Sequence, residues 1–197
     1  MVSDKVARKM ELKKARVLEA AIALFAENGY EATTMADIAK KAEVGFGTVA
    51  TYFGSKEELF YTCVVQPFQP LIVELKDFNV SPTSYPKEIE AMIRKHIFLF
   101  NAQDVYLQLL VQVIGQYEKF PVIFAEINKQ TNELQQRLIE LIVNGQNEQQ
   151  LSEGEPLIIA ISYISLLFGL CLSSVGNFPK DMLEQFATRA IYLFGVK

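Results

Sequence analysis

At 197 residues, half of them hydrophobic, the chain is long enough to bury a real core and too apolar to be disordered. A formal net charge of −4 and an isoelectric point near 5.2 exclude a uniformly cationic polyanion binder, although a total can hide a local basic face. With one histidine, His96, two distant cysteines, Cys63 and Cys171, and none of the motifs G-x-S-x-G, H-E-x-x-H or G-x-x-x-x-G-K-[ST], no catalytic residue, metal or cofactor is expected.

Both cysteines lie in apolar runs, and no apolar signal segment follows Met1, so a reduced, cytoplasmic protein is expected. Helical period then runs through nearly the whole chain. Val17, Ala21, Leu24 and Phe25 share one face of a helix over residues 8–28, which Gly29 stops. A short second helix, residues 35 to about 42, turns Ile38, Ala39 and Ala42 inward. Thr34 is its N-cap, with Asp37 three positions on. After a turn at residues 43–45 comes a third helix, residues 46 to about 52. Ser55 caps a fourth, with Glu58 as reciprocal partner in a capping box. That helix carries Leu59, Phe60, Val64 and Val65 toward Pro67 and Pro70, which are expected to kink or end it.

Beyond the break at residues 82–86, helices are predicted at about 86–101, 104–117, 121–147, 156–175 and 179–194, three of them with proline at or beside the first turn. No stretch alternates with period two long enough to make a strand. The expected fold is all-α with about nine helices. Residues 1–54 form a three-helix unit and residues 55–197 a larger helical bundle.

The run GFGTVATYFGSKEEL, residues 45–59, has two readings. Its first six residues fit G-x-G-x-x-A, but a dinucleotide loop needs a buried strand before it and an acidic residue about 20 positions on. Here ADIAKKAEV precedes it and CVVQP stands downstream, so both requirements fail. The alternative is helix, tight turn, helix, with a short second helix offering small and hydroxyl side chains to the major groove of DNA. Gly47 would let the backbone come close to DNA, Thr48 and Thr51 could reach phosphates or base edges, and Tyr52 and Lys56 could reach phosphates. Thr34, Gly45 and Phe46, at the helix starts, complete the expected DNA-contacting set. Lys5, Arg8, Lys9, Lys13, Lys14 and Arg16, against Asp4, Glu11 and Glu19, supply the local basic face.

Residues 16–60, RVLEAAIALFAENGYEATTMADIAKKAEVGFGTVATYFGSKEELF, resemble the DNA-binding signature of the tetracycline-repressor-like (TetR) transcriptional regulators. The shared features are G-Y-x-x-T-T, D-I-A-x-x-A, G-T-x-x-x-Y-F and S-K-E-E-L. The resemblance implies a DNA-reading domain, a C-terminal domain that binds an effector and dimerises, and repression relieved by that effector. Three positions depart from the pattern: Glu43 replaces a turn glycine, Gly45 a serine-like cap, and Ala50 a frequent tyrosine.

The stretch from Pro156 to Pro179 has no charged residue and is long enough to cross a bilayer of about 30 Å. Its serines, its lack of tryptophan or flanking lysine and arginine clusters, and the amphipathic helix that follows argue instead for a helix pair at a homodimer interface, with no membrane partner. Ser165, Gly169 and Ser173 on the first helix and Phe186 and Ala190 on the second are the expected dimer contacts. His96 on an apolar helix face, and Gln108, Gln112 and Gln116 at four-residue steps, are the candidates for an effector chamber. IGQYEKFPVIFAEI, residues 114–127, resembles a segment common in regulators of efflux and of the response to lipophilic compounds, which implies an apolar or aromatic effector. The expected partners are a double-stranded DNA operator, a small lipophilic effector and a second copy of the chain. A ligand-binding bundle whose N-terminal helices contact protein is the alternative.

Overall fold

In the computed structural model, which describes residues 2–102, 104–173 and 178–197, the described residues form helices linked by short turns. In chain order these are α1 (Val2–Ala32), α2 (Met35–Lys41), α3 (Phe46–Phe53), α4 (Lys56–Lys76), α5 (Tyr85–Asn101), α6 (Asp104–Gly115), α7 (Pro121–Asn147), α8 (Pro156–Ser173) and α9 (Lys180–Ile191), with a 3-10 turn at Tyr192–Phe194. The only extended pairing described is an isolated antiparallel bridge between Leu151 and Val196. The fold is all-α, as the periodicity predicts.

Local chemistry sets most boundaries. Gly29 leaves helical geometry with φ 77°, so the regular part of α1 stops where glycine was expected to stop it. At α2 the full capping box forms: Asp37 N donates to Thr34 Oγ1 at 3.1 Å, and Thr34 N donates back to the Asp37 carboxylate at 3.2 Å. At α4 only one half forms, with Glu58 N donating to Ser55 Oγ at 3.1 Å.

Two expectations need correction. The first helix begins well before residue 8, at Val2, because the alanine, leucine, methionine and lysine residues of this stretch favour helix. The second concerns the end of α4: the helix does not stop at Pro67 or Pro70 but continues to Lys76. Each interior proline costs about 3 kcal/mol. The residues from Pro67 onward bury Phe68, Leu71, Ile72 and Leu75, and each such side chain contributes about 1.5–3 kcal/mol. Burial of the four therefore at least offsets the cost of the two prolines.

The exit of α4 is held by α7. Arg137 donates to the carbonyls of Lys76 at 3.1 Å and Phe78 at 2.6 Å while its guanidinium stacks on the Phe78 ring. Lys95 of α5 bridges Glu74 and Asp77 at the same exit, and Arg94 pairs α5 with Glu184 of α9. No single described helix is long and apolar enough to cross a membrane.

Candidate nucleic-acid interface

The α2–turn–α3 unit is fixed from behind by burial. Ile38, Ala39 and Ala42 pack with Val49 and Phe53 against Val17, Ala21 and Phe25 of α1. Fixing that side leaves the opposite arc of α3 facing out. Gly45, Gly47 and Thr51 are exposed, Thr48, Ala50 and Tyr52 are half-buried, and Phe46 is 59% exposed. Thr34 lies exposed at the start of α2, its hydroxyl bound to Asp37 at 2.6 Å, and this bond holds the Asp37 carboxyl below its ordinary value. The sequence-predicted set from Thr34 to Tyr52 is thus displayed around one helix-turn-helix unit.

Besides Thr34, Thr51 and the predicted Lys56 are already engaged. Thr51 Oγ1 donates to the Gly47 carbonyl at 2.7 Å, one helical turn back. Lys56 turns toward α1, donating to the Glu31 carbonyl at 3.3 Å with its ammonium 4.3 Å from the Tyr30 ring centroid. Tyr30 in turn donates to Glu57 at 2.9 Å, and burial plus that bond push its hydroxyl up to about 12.

At the turn itself, Glu43 adopts φ 53°, the left-handed region that a glycine would take without strain. Arg16 spans the turn, donating to the Ala42 carbonyl at 2.8 Å and to the Glu43 carboxylate at 2.9 Å. Lys14 lies 5.8 Å from the Phe53 ring centroid at the far end of α3. Basic residues of α1 therefore touch both ends of the segment that carries the exposed arc. Gly45 caps α3 without a side-chain hydrogen bond.

The contacts between α1 and α6 were not read from the sequence. Gln112 Nε2 donates to the Ala26 carbonyl at 2.7 Å, and Lys119 pairs with Glu31 at 2.6 Å. The ring of Phe120 packs on Tyr30 and Phe60 with centroid separations of 5.6 and 4.8 Å. Tyr106 of α6 donates to the Val64 carbonyl of α4 at 2.6 Å, just before the two prolines. Spacing along one helix cannot reveal such partners; the aromatic residues at 25, 30, 60 and 120 were the available signal.

The candidate chamber residues separate. His96 is fully buried, its Nδ1 2.9 Å from the Tyr163 hydroxyl of α8, and its Nε2 has no hydrogen-bond partner among the described residues. Burial, aided by the charge of Lys95 and only partly opposed by the Leu75 backbone, pushes the imidazole down to about 3, so it is neutral at pH 7. Gln112 is taken up by α1, while Gln108 and Gln116 are exposed. The four-residue stripe therefore does not converge with His96.

Among the expected dimer contacts, Ser165 is exposed and Gly169 and Phe186 are half-buried. Ile158, Ile161 and Leu172 extend this exposed stripe along α8, Ile158 and Leu172 by 59% and 68% of their surface. The side chain of Ser173 lies outside the described residues. Ala190 is a correction: it is fully buried in the chain's own core, because α9 packs against α5.

The profile described as bacterial regulatory proteins of the tetR family matches residues 17–62. An HTH-type transcriptional regulator of Bacillus subtilis, YhgD, is 47% identical over 64 residues, 32% of this chain and 31% of that one. The fatty acid metabolism regulator protein of the same organism is 25% identical over 130 residues, covering 66% of this chain and 60% of that one. The matches thus span less than two thirds of either relative. IcaR, a negative transcriptional regulator of the biofilm operon icaADBC in Staphylococcus aureus, is 27% identical over 139 residues, 70% of this chain and 72% of that one. A tetR-family regulatory protein from Rhodococcus RHA1 has the same fold, with a TM-score of 0.78 at 19% identity over 94% of this chain and 98% of that one. Residues 17–62 thus match the tetR-family profile, and over nearly its whole length the chain has the fold of a solved tetR-family protein.

Proposed function

We propose that the chain binds a palindromic double-stranded DNA operator as a homodimer, represses transcription there, and leaves the operator when a small lipophilic or aromatic effector binds. Residues 1–54 are the DNA-reading unit and residues 55–197 the effector and dimerisation unit. The observation that carries this reading is the outward arc of Gly47, Thr48 and Thr51, held from behind by a buried core and flanked by Lys14 and Arg16. Small residues on a rigid short helix permit close approach to base edges, and flanking cations bind phosphate. The functions of the relatives, negative regulation and fatty acid metabolism, lend support to repression and to a lipophilic effector.

The exposed apolar stripe of α8 supports a second copy as partner, because a self-complementary apolar face is what a two-fold dimer buries. His96 supports a ligand within the bundle, since a buried imidazole nitrogen without a partner is a polar group that an effector could satisfy. Coupling runs through α4, which begins directly after α3 and is bonded by Tyr106 of α6 at Val64. Gln112, Lys119 and Phe120 grip α1 from the same side.

The test is operator affinity with and without a saturating effector, found by thermal-shift screening of lipophilic compounds. Linkage requires that the effector weaken DNA binding by the same factor that DNA weakens effector binding. A compound that binds tightly yet leaves DNA affinity untouched would refute the switch.

A further inference from the structure

The first turns of α1 contribute nothing to the core among the described residues. From Lys5 to Arg16 no residue is buried, and Val6, Met10 and Leu12 are each more than half exposed; the core begins only at Val17. Six cations and one acid, Glu11, give residues 5–16 a net charge of +5; the whole chain carries −4, so the remaining residues carry −9. At about 100° per residue, Lys5, Arg8, Lys9, Lys13 and Arg16 fall within roughly 140° of helix circumference. Arg16 fixes where that stripe points: it is bonded to Ala42 and Glu43 in the turn that precedes α3. The stripe therefore leaves the domain from the side on which the helix-turn-helix is displayed.

The arrangement suits a polyanion. Lys5 and Lys9, and Lys9 and Lys13, are like charges four residues apart, which disfavours a helix that has no packing to hold it. The alanine, leucine, methionine and lysine content favours the helix locally, and an anionic partner would convert the repulsion into attraction. We infer that residues 5–16 are a second DNA-binding element, a basic helical arm that lies along the phosphate backbone beside the major-groove site and extends each half-site. This rests on the DNA-binding reading above. At 1.5 Å per residue the arm is about 17 Å long, roughly half a turn of duplex. Its charges have no base-reading geometry, so they add affinity without sequence preference.

The test is the triple variant Lys5→Gln, Lys9→Gln, Lys13→Gln in the full chain, with affinity measured against salt on DNA that wild-type protein protects and on an unrelated duplex. Because none of the three is buried, thermal unfolding is expected to be unchanged or slightly raised. The slope of log K against log salt is expected to become shallower by about 0.9 for each phosphate released, up to roughly 5 for three lysines on each of two half-sites. The loss is expected to be similar on both duplexes. An unchanged slope, with wild type still protecting its DNA, would overturn the arm alone. Wild type that binds neither duplex at any salt would overturn the DNA reading and the arm together.

Discussion

Arg16 and Glu43 form an ion pair of 2.9 Å across the helix-turn-helix turn, at the one residue of that turn with left-handed backbone. Glu43 sets a carboxylate beside the outward arc of α3 and occupies a guanidinium that could otherwise meet a phosphate. Glu43→Gln keeps the backbone and removes the charge. Operator binding is expected to tighten several-fold at low salt, and the salt slope to steepen by up to about one per half-site as Arg16 is freed. Fluorescence anisotropy against salt measures both. An unchanged slope would place the pair away from the DNA.

Gly47 separates stability from function. A Cβ built there meets no atom within 4 Å, and the residue lies inside α3. Gly47→Ala is expected to stabilise the protein by roughly 0.5–1 kcal/mol through helix propensity. DNA affinity is expected to fall, because the added methyl stands between the helix and the groove floor. Thermal melts and binding on the same sample report both quantities. A more stable variant with undiminished affinity would remove Gly47 from the interface.

His96 makes stability depend on pH. Its folded value is pushed down to about 3 from 6.5, so the unfolded chain takes up a proton below pH 6.5 that the folded chain refuses until about pH 3. The contribution is fully present above pH 6.5 and lost as pH falls through that window. At pH 5 the loss is about 2 kcal/mol relative to pH 7.5. Urea midpoints across pH 5–7.5 are expected to fall with acid in wild type and to fall less in His96→Gln. Parallel profiles would show that the imidazole is solvated.

On α8, a Cβ at Gly169 meets no atom of the same protomer within 4 Å, so one protomer tolerates a larger residue there. Gly169→Leu is expected to leave the unfolding of an isolated protomer unaltered and to break the proposed dimer, with DNA affinity falling as two half-sites are no longer held together. Sedimentation velocity checks the assembly. A dimer of wild-type stability would put the interface elsewhere.

The starts of α2 and α4 were legible because capping is local: Thr34 with Asp37, and Ser55 with Glu58, each fall within one helical turn. On α3 the small and hydroxyl residues Gly47 and Thr51 pointed to the outward side, and the burial of Val49 and Phe53 fixes that orientation. The course of α4 past Pro67 and Pro70 was not legible, because burial of Phe68, Leu71, Ile72 and Leu75 against distant helices overrides a local rule. Gln112 looked like one rung of a polar stripe with Gln108 and Gln116, yet its partner is the Ala26 carbonyl 86 residues earlier. Ala190 failed for a related reason: amphipathic period gives the apolar face of α9 but not whether its partner is the same chain or a second one.

The central claim, that the outward arc of α3 reads a palindromic operator, is tested most directly by footprinting the purified protein on DNA flanking its own gene, beside Thr48→Ala. Wild type is expected to protect an inverted repeat whose half-sites lie about one helical turn of 34–36 Å, or a multiple of it, apart. Thr48→Ala is expected to lose about 1–3 kcal/mol on that repeat and little on unrelated duplex, as a base contact should. Absence of a protected repeat, or equal binding of both proteins to the repeat, would contradict the assignment.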